Sequence, residues 1–290
     1  MRIMKSMTSE VRESMHDTTM GAFGARLRAQ RVALGLSQEE LGARARVSPR
    51  HLSCLETGKA QPSREMVLRI SRVLGLDLRD RNLFLAAAGF APVYASTPLD
   101  SAAMQAVRAA LDALLAKQEP YPAVLLDRSW NVLRANAGAE RLLETFMHPK
   151  APSFIARNMV LATMDLRGLK RSIVNWQEVA PLVLERVERA ARAHPGDDDR
   201  QALLEKVRTY PGVTALPKPT HATGAPTAVL VLGRGHVRLT MFALLTTVGT
   251  PLDVTAEDLI VESLFPADDT TAAWFRGKGK PRPTAARNHS

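Results

Sequence analysis

A dense run of helix start and stop signals between residues 36 and 63, LSQEELGARARVSPRHLSCLETGKAQPS, constrains this chain more than any other feature. Ser37 and Glu40 make a Ser-x-x-Glu capping box, which predicts a helix start. Leu41 and Ala45 then supply an apolar stripe at helical spacing. Signals this close together predict short helices joined by tight turns.

The eleven residues 48–58, SPRHLSCLETG, predict one complete short helix. Ser48 is an N-cap, and Pro49 suits the first helical position because its missing N–H would be unpaired there anyway. Gly58 suits the left-handed residue that ends a helix. Leu52 and Leu55, three residues apart, are expected to point inward.

The opposite side of this helix is small, polar and cationic. Pro49, Arg50, Ser53 and Cys54 lie there, with His51 at the flank. A helix buried on all sides rarely has such a face, whereas helix-turn-helix proteins place one in the major groove of DNA.

Flanking segments complete a five-helix bundle. The first helix is predicted over Phe23–Leu34, with Leu27 and Val32 on its inner side and Gly35 as its stop. The remaining start and stop residues are Ser63 and Gly75 for a fourth helix and Asp77 and Gly89 for a fifth.

The net charge of +10 lies at the two ends of the chain. Residues 22–90 hold twelve Lys or Arg against six Asp or Glu, and residues 276–290 hold five basic residues and no acidic one. Residues 1–21 balance, so residues 91–275 sum to −1. A polyanion would therefore meet the N-terminal segment and the tail.

Several classes are disfavoured by composition. Cys54 is the only cysteine, which excludes an internal disulfide and a zinc site built on paired cysteines. We found neither an apolar run long enough for a membrane span nor a secretory signal, so a cytoplasmic protein without metal, cofactor or membrane contact is expected. Residues 1–21 and the basic tail, 276–290, are expected to be disordered.

Residues 91–100 break helical periodicity and are predicted to be a linker. A helix follows over Ser101–Glu119, whose apolar stripe either packs on its own domain or forms a dimer seam. The stripe consists of Met104, Val107, Leu111, Leu114 and Leu115.

The middle of the chain alternates between strands and helices. Pro122–Asp127 and Val132–Ala135 predict a hairpin, and Asn136 caps a helix that ends at Phe146. Helical segments are expected to continue as far as Tyr210. In one of them Asn175 and Glu178 resemble a cap, and Pro181 either kinks that helix or marks its true first turn.

A second hairpin is predicted after a proline-rich loop over 211–226. Its strands are Thr227–Gly233 and His236–Val248, with Val237, Leu239, Met241 and Ala243 facing inward. Phe242 and Leu244 make the other face apolar as well, which indicates a buried strand or a cavity wall. Two hairpins with connecting helices predict an α+β domain with one antiparallel sheet.

Residues 22–81 resemble the Cro/repressor-like (XRE) helix-turn-helix family, in which Leu-Ser-Gln-x-x-Leu opens helix two and Glu-x-Gly closes helix three. The resemblance implies that Gln38 and the backbone at Ser48 bind phosphate. It also implies that Pro49, Arg50, Ser53 and Cys54 read bases. Pro49 and Cys54 replace amide side chains common in the family, so Arg50 is the main candidate for a guanine contact.

The same resemblance extends to the flanks of helix three. His51 is a candidate base or phosphate contact, and Thr57 and Lys59 are candidate contacts to the DNA backbone. Two simpler interpretations stay open, in which Gln38 faces solvent and Arg50 is only an exposed residue at the helix start. Glu56 is expected to be structural and to pair with an arginine of the bundle.

Two later stretches, YPAVLLDRSWNVLRANAGAERLL and TTVGTPLDVTAEDLIVESLFPADDTTAAW, resemble the MmyB-like ligand-binding domain of bacterial regulators, which has a PAS-like fold. We expect this domain over 101–275 and the DNA-binding domain over 22–90; residues 147–226 match more loosely. The resemblance implies a small-molecule effector, and the apolar, Met-rich lining candidates favour a lipid or fatty-acyl guest. These candidates are Trp130, Asn136, Phe154, Asn158, Met159, Trp176, Met241, Phe242 and Thr246.

The sequence therefore predicts a regulator that binds double-stranded DNA as a homodimer and senses a small molecule. The alternative is an antitoxin-like repressor whose second domain binds a protein partner. No nucleophile elbow, Walker loop or metal-spaced histidine pair is present in the sequence, so an enzyme is not expected.

Overall fold

The computed structural model describes residues 21–218 and 227–277. The expected leader, apart from residue 21, lies outside the described residues. So do residues 278–290 of the expected tail and residues 219–226 of the proline-rich loop.

The N-terminal bundle consists of five helices, at residues 21–33 (α1), Gln38–Ala45 (α2), Pro49–Glu56 (α3), Arg64–Val73 (α4) and Leu78–Ala87 (α5). Ser37, Ser48, Ser63 and Asp77 each cap the following helix by accepting a hydrogen bond from a backbone amide. The capping box at Ser37 is complete, because Glu40 also accepts from the Ser37 backbone N–H at 2.7 Å. The predicted helix starts are therefore confirmed.

The inner face of α1 differs from the prediction at one residue. Phe23 and Leu27 are buried, but Val32 is 59% exposed. Val32 lies five residues after Leu27, which places it about 140° around the helix and away from the same apolar stripe. The prediction that Val32 faces inward is wrong, and Arg31 occupies the position closer to the bundle.

The remaining chain forms eight helices and five strands among the described residues, with short 3₁₀ turns at Ala102–Met104 and Lys170–Ser172. In chain order they are α6 Gln105–Lys117, β1 Ala123–Leu126, β2 Val132–Ala135, α7 Ala137–Phe146, α8 Ser153–Ala156, α9 Met159–Met164, α10 Trp176–Ala193, α11 Asp198–Arg208, β3 Leu230–Arg234, β4 Val237–Thr247, α12 Val254–Asp258, β5 Ile260–Pro266 and α13 Asp269–Phe275.

The strands form one five-stranded sheet in the order β2-β1-β5-β4-β3. All four strand pairs are antiparallel, so the predicted α+β class and both predicted hairpins are confirmed. The central strand, β5, was not predicted. It pairs with β1 through Leu125 opposite Val261, and with β4 through Leu244 opposite Ser263, and so joins the two hairpins into one sheet.

Side-chain placement departs from the sequence prediction in α6 and β4. Met104, Leu111 and Leu115 are buried, but Leu114 is 45% exposed. At the far end of β4, Leu244 is 53% exposed, so this end of the strand is not buried on both faces, and Phe242 and Ala243 instead line a cavity, which was the second predicted alternative.

The helix α10 begins directly after Asn175, where the sequence predicted its start. Asn175 Nδ2 donates to Glu178 Oε2 at 3.1 Å, and the same side chain also bonds to the backbone of residues 229–231, because its Oδ1 accepts from the Val231 N–H and its Nδ2 donates to the Val229 carbonyl. The helix begins at Trp176 and continues through Pro181, which excludes Pro181 as its first turn.

The chain divides into two compact units. Among the described residues, one contains 21–104, 187–204 and 249–257, and the other contains 105–186, 205–218, 227–248 and 258–277. Within the first unit, His194 Nδ1 lies 2.6 Å from Asp80 Oδ2, and Gln30 donates to the Ala193 carbonyl at 2.7 Å. No helix within the described ranges is long and apolar enough to cross a membrane.

Candidate DNA-binding surface and ligand cavity

The α3 helix has one buried side and one accessible side. Leu52 and Leu55 are fully buried in the bundle core. Pro49 and Arg50 are exposed, and His51, Ser53 and Cys54 are partly exposed. The predicted base-reading residues therefore share the accessible side of a single short helix, with a guanidinium at its first turn.

Ser48 fixes the start of α3. Its hydroxyl accepts a hydrogen bond from the His51 backbone N–H at 3.2 Å, and Pro49 occupies the first helical position. A capped helix start presents backbone N–H groups in a fixed direction, which suits contact with a phosphate group. Ser48 is itself exposed, as such a contact requires.

Glu56 joins three helices at the base of this surface. Its carboxylate accepts from Arg31 of α1 at 2.6 and 3.1 Å and from Gln38 of α2 at 2.8 Å, while Glu56 itself ends α3. The Glu56 side chain is 3% exposed. Burial raises its pKa, but the hydrogen bonds from Arg31 and Gln38 and the charges of nearby arginines outweigh burial and lower it. The expectation that Glu56 pairs with a bundle arginine is confirmed.

This arrangement also places the remaining candidate DNA contacts. The Gln38 amide is half-buried and held by Glu56 rather than turned freely into solvent. Thr57 donates its hydroxyl to the Ser53 carbonyl at 2.8 Å and stays exposed. Lys59 is exposed just after the helix end. Gln38 therefore contacts the last residue of α3, and Ser48 and Lys59 lie just before and just after this helix.

The second unit contains a cavity of about 220 Å³. This volume is far more than the roughly 10–15 Å³ that one water molecule needs. Its walls come from β1, α7, α9, α10 and the β4–β5 part of the sheet, and most lining side chains are apolar. Representative lining residues, one from each of these six helices and strands, are Val124, Leu142, Val160, Val183, Ala243 and Leu264.

Three of the nine predicted lining residues, Trp130, Met159 and Phe242, border the cavity. Trp130 has a left-handed backbone with φ 61°, and its carbonyl accepts from the Met159 N–H at 3.0 Å. In the turn that contains Trp130, the Asp127 carboxylate accepts hydrogen bonds from the backbone N–H groups of Ser129 and Asn131, and these bonds fix the turn. Phe242 stacks on Phe265 with ring centroids 5.7 Å apart.

Two predicted lining asparagines instead organise backbone. Asn136 is buried, caps α7 and also accepts from the Ala123 N–H at 2.9 Å. Asn158 caps α9 and donates to the Ser129 carbonyl at 2.8 Å. Neither borders the cavity, and both amides donate to nearby backbone carbonyls.

The other four predicted lining residues also lie outside the cavity lining. Trp176 is buried and donates its indole N–H to the Thr163 carbonyl at 3.1 Å. Met241 is fully buried, which leaves it no accessible surface toward a guest. Phe154 is 50% exposed, and Thr246 is exposed near the end of β4.

Two lining residues that were not predicted from the sequence are charged, Arg186 on α10 and Glu262 on β5. Their closest approach is 4.0 Å, between Arg186 Nη1 and Glu262 Oε1. One signal for Glu262 was present in the sequence. The strand IVESLFP is otherwise uncharged, and a carboxylate in the middle of a strand that pairs on both sides needs a partner or a role.

An exposed helix-turn-helix surface and a separate apolar cavity define a DNA-binding transcription regulator with a ligand-binding domain. Residues 22–84 match the family model of the helix-turn-helix domain, and residues 107–277 match that of the MmyB-like transcription regulator ligand binding domain. The second match spans more than half of the chain. The protein belongs to the MmyB-like transcription regulators.

Similar solved structures were also found. Two crystal structures of the clp gene regulator ClgR from Corynebacterium glutamicum are 37% and 32% identical, over 24% and 35% of this chain and 90% and 95% of theirs, each with a TM-score of 0.22. An RNA-binding light-oxygen-voltage receptor is 13% identical over 93% of this chain and 66% of its own, with a TM-score of 0.25. Because these TM-scores are low, none of the three supports a structural conclusion. No curated protein matches the chain.

Proposed function

We propose that this regulator binds a specific double-stranded DNA site as a homodimer, and that a small apolar ligand in the cavity controls this binding. The α3 surface carries the proposal for DNA. Arg50 is exposed at the first turn of a helix whose opposite side, Leu52 and Leu55, is fully buried. In this arrangement the guanidinium reaches a guanine edge without disturbing the bundle core.

Arg50 and Lys59 are expected to have different roles. Arg50 reads a base, so Arg50→Ala relaxes the preference at one base position by about 1–3 kcal/mol. Lys59 contacts phosphate, so Lys59→Ala weakens binding to all sequences alike.

Selection from a random duplex pool, followed by affinity measurements on single-base variants of the selected site, tests this difference. The wild type is expected to enrich one motif and Arg50→Ala to lose a single position of it. If Arg50→Ala weakened every duplex equally, Arg50 would be a phosphate contact and the proposed base reading would fail.

The cavity is proposed to bind a lipid or fatty-acyl-like effector and to release it unchanged, without catalysis. Its apolar walls include Met159, Leu142 and Phe242, which suit a flexible hydrocarbon chain. Native mass spectrometry of the protein purified without added ligand is expected to show a copurified small molecule of unaltered mass. A stoichiometric protein partner in its place would favour an antitoxin-like repressor.

Dimerisation is proposed because one small bundle buries too little surface for tight, specific DNA binding. The two half-sites would then lie about one helical turn, ~34 Å, apart. In the apolar stripe of α6, Met104, Leu111 and Leu115 are buried within the chain, and Leu114 remains 45% exposed. Light scattering after size exclusion is expected to give twice the chain mass of 31.7 kDa, whereas a monomer on the selected duplex would contradict the proposal.

A further inference from the structure

The mostly apolar lining of the cavity includes one pair of charged side chains. Of the described residues that line it, Arg186 and Glu262 are the charged ones. Burying a charge in an apolar site is costly unless it is paired and hydrogen-bonded. This pair therefore calls for an explanation beyond packing.

Glu262 lies in the central strand of the sheet. Its cross-strand neighbours are Val124 on β1 and Leu245 on β4, and neither has a polar side-chain atom. The side chain is enclosed by protein, yet 16% of its surface remains accessible because it faces the cavity. Within residues 21–218 and 227–277, no hydrogen bond to its carboxyl group is formed.

Arg186 is the charged group that faces Glu262 across the cavity. The 4.0 Å between Arg186 Nη1 and Glu262 Oε1 is too long for a hydrogen bond. The Arg186 side chain is 38% accessible, so its guanidinium has room for a further acceptor. Burial raises the pKa of Glu262, and the charge of Arg186 opposes this only in part.

We propose that the ligand carries an acidic group, which pairs with Arg186 while Glu262 takes up a proton from solvent. This inference rests on the proposed ligand-binding function of the cavity and specifies the polar end of that ligand. If both carboxylates stayed ionised beside one guanidinium, the buried site would carry a net negative charge. With one proton on Glu262 the site is neutral, and the O–H of the protonated Glu262 carboxyl group donates a hydrogen bond to the ligand carboxylate.

A proton taken up on binding makes the affinity depend on pH. Glu262 is ionised in the free protein above its own pKa and protonated in the complex. The affinity for an acidic ligand therefore rises as pH falls toward that pKa, by up to about tenfold per pH unit, the limit for uptake of one proton. A ligand with a hydroxyl group in place of the carboxylate gains no such dependence.

Isothermal titration of the full chain, stripped of copurified lipid, tests this with decanoic acid, 1-decanol and decylamine as probes. The wild type is expected to prefer decanoic acid and to bind it more tightly as pH falls from about 8 to about 6. Titration in two buffers of different ionisation enthalpy is expected to show uptake of up to one proton for each decanoate bound.

Two variants separate the roles of the charged residues. Glu262→Gln imitates the protonated carboxyl group, so it is expected to bind decanoate more tightly at pH 8 than the wild type does and to lose the pH dependence. Arg186→Gln is expected to lose the preference for decanoic acid over 1-decanol. Near-ultraviolet circular dichroism checks that both variants keep their packing.

Each contrary outcome is distinct. If 1-decanol or decylamine binds and decanoic acid does not, the proposed ligand function stands and the acidic-group inference is overturned. Decanoate binding without proton uptake in the wild type overturns it as well, whatever the variants do. If none of the three probes binds, the proposed apolar ligand function fails and this inference fails with it.

Discussion

The carboxylate of Glu56 makes the contacts that align three helices of the DNA-binding bundle. Arg31 reaches it from α1 and Gln38 from α2, and its own backbone ends α3. Removing one partner of a buried ion pair leaves the other charge uncompensated, which typically costs about 3–5 kcal/mol. The orientation of the α3 surface therefore depends on this residue.

Glu56→Gln is expected to lower the free energy of unfolding of the bundle by about 2–3 kcal/mol at neutral pH, because a charged hydrogen-bond acceptor is lost. The folded-state pKa of Glu56 is lowered, so its contribution is present above the unfolded pKa and lost as pH falls through the folded value. The deficit should therefore shrink in acid, below about pH 4.

Urea unfolding monitored by hydrogen exchange in peptides from residues 22–90 measures this. Glu65→Gln is the control, because Glu65 is exposed on α4. A deficit that stayed constant through the acid range would contradict the assigned role of Glu56.

Arg46 ends α2 in a left-handed conformation with φ 52°. A side chain in this region costs about 1–2 kcal/mol, and glycine avoids that cost but loses more chain entropy on folding. Arg46→Gly is therefore expected to raise the stability of the bundle by up to about 1 kcal/mol. The matched change Arg44→Gly, inside α2, should lower it by about 1 kcal/mol; equal effects of both changes on urea unfolding would refute the prediction.

At the scale of elements, a glycine sets how closely α1 and α3 approach. A Cβ atom added at Gly24 would lie 2.5 Å from the Leu55 carbonyl oxygen and 2.6 Å from that of Glu56, both backbone atoms that cannot move aside. Gly24 thus lets the first helix contact the C-terminal end of α3 directly. The same helix also contains Gly21, where an added Cβ meets nothing within 4 Å.

Gly24→Ala is expected to destabilise the bundle by about 1–3 kcal/mol, the usual effect of overpacking. Gly21→Ala should be neutral or slightly stabilising, because alanine favours a helix more than glycine. The two variants differ only in position along α1, so the difference between their urea midpoints isolates the helix contact. Equal midpoints would mean that α1 does not pack on α3 as described.

The helices of the bundle were predictable because their start and stop signals are local. Ser37, Ser48, Ser63 and Asp77 cap the helices that the sequence assigned to them. Strand β5 was not predictable in the same way. Its pairing with β1 joins residues more than a hundred positions apart, which no local pattern encodes.

The two candidate sites differ in the same way in how far they could be predicted from the sequence. The accessible side of α3 followed from spacing along a single helix, whereas the cavity is built from segments distant in sequence. Asn136 and Asn158 have the residue type of a ligand contact but are used to cap helices. Arg186 and Glu262 come together only through the fold, so their sequence neighbours gave no indication that they meet.

At the scale of the whole molecule, the chain combines a DNA-binding bundle with a cavity-containing α+β domain. A ligand can change DNA affinity only if it binds differently to the DNA-competent and DNA-incompetent states. Coupling between two such sites is typically about 1–3 kcal/mol, or roughly 5–150-fold in affinity. Ligand binding is therefore expected to change the affinity for DNA by an amount within this range.

The most direct test of a ligand-controlled regulator is the affinity of the ligand-stripped protein for its selected duplex, measured by fluorescence anisotropy with and without saturating decanoic acid. Occupancy of the cavity is expected to change the dissociation constant of the duplex by at least about fivefold. An unchanged dissociation constant, with the cavity shown by titration to be full, would contradict it.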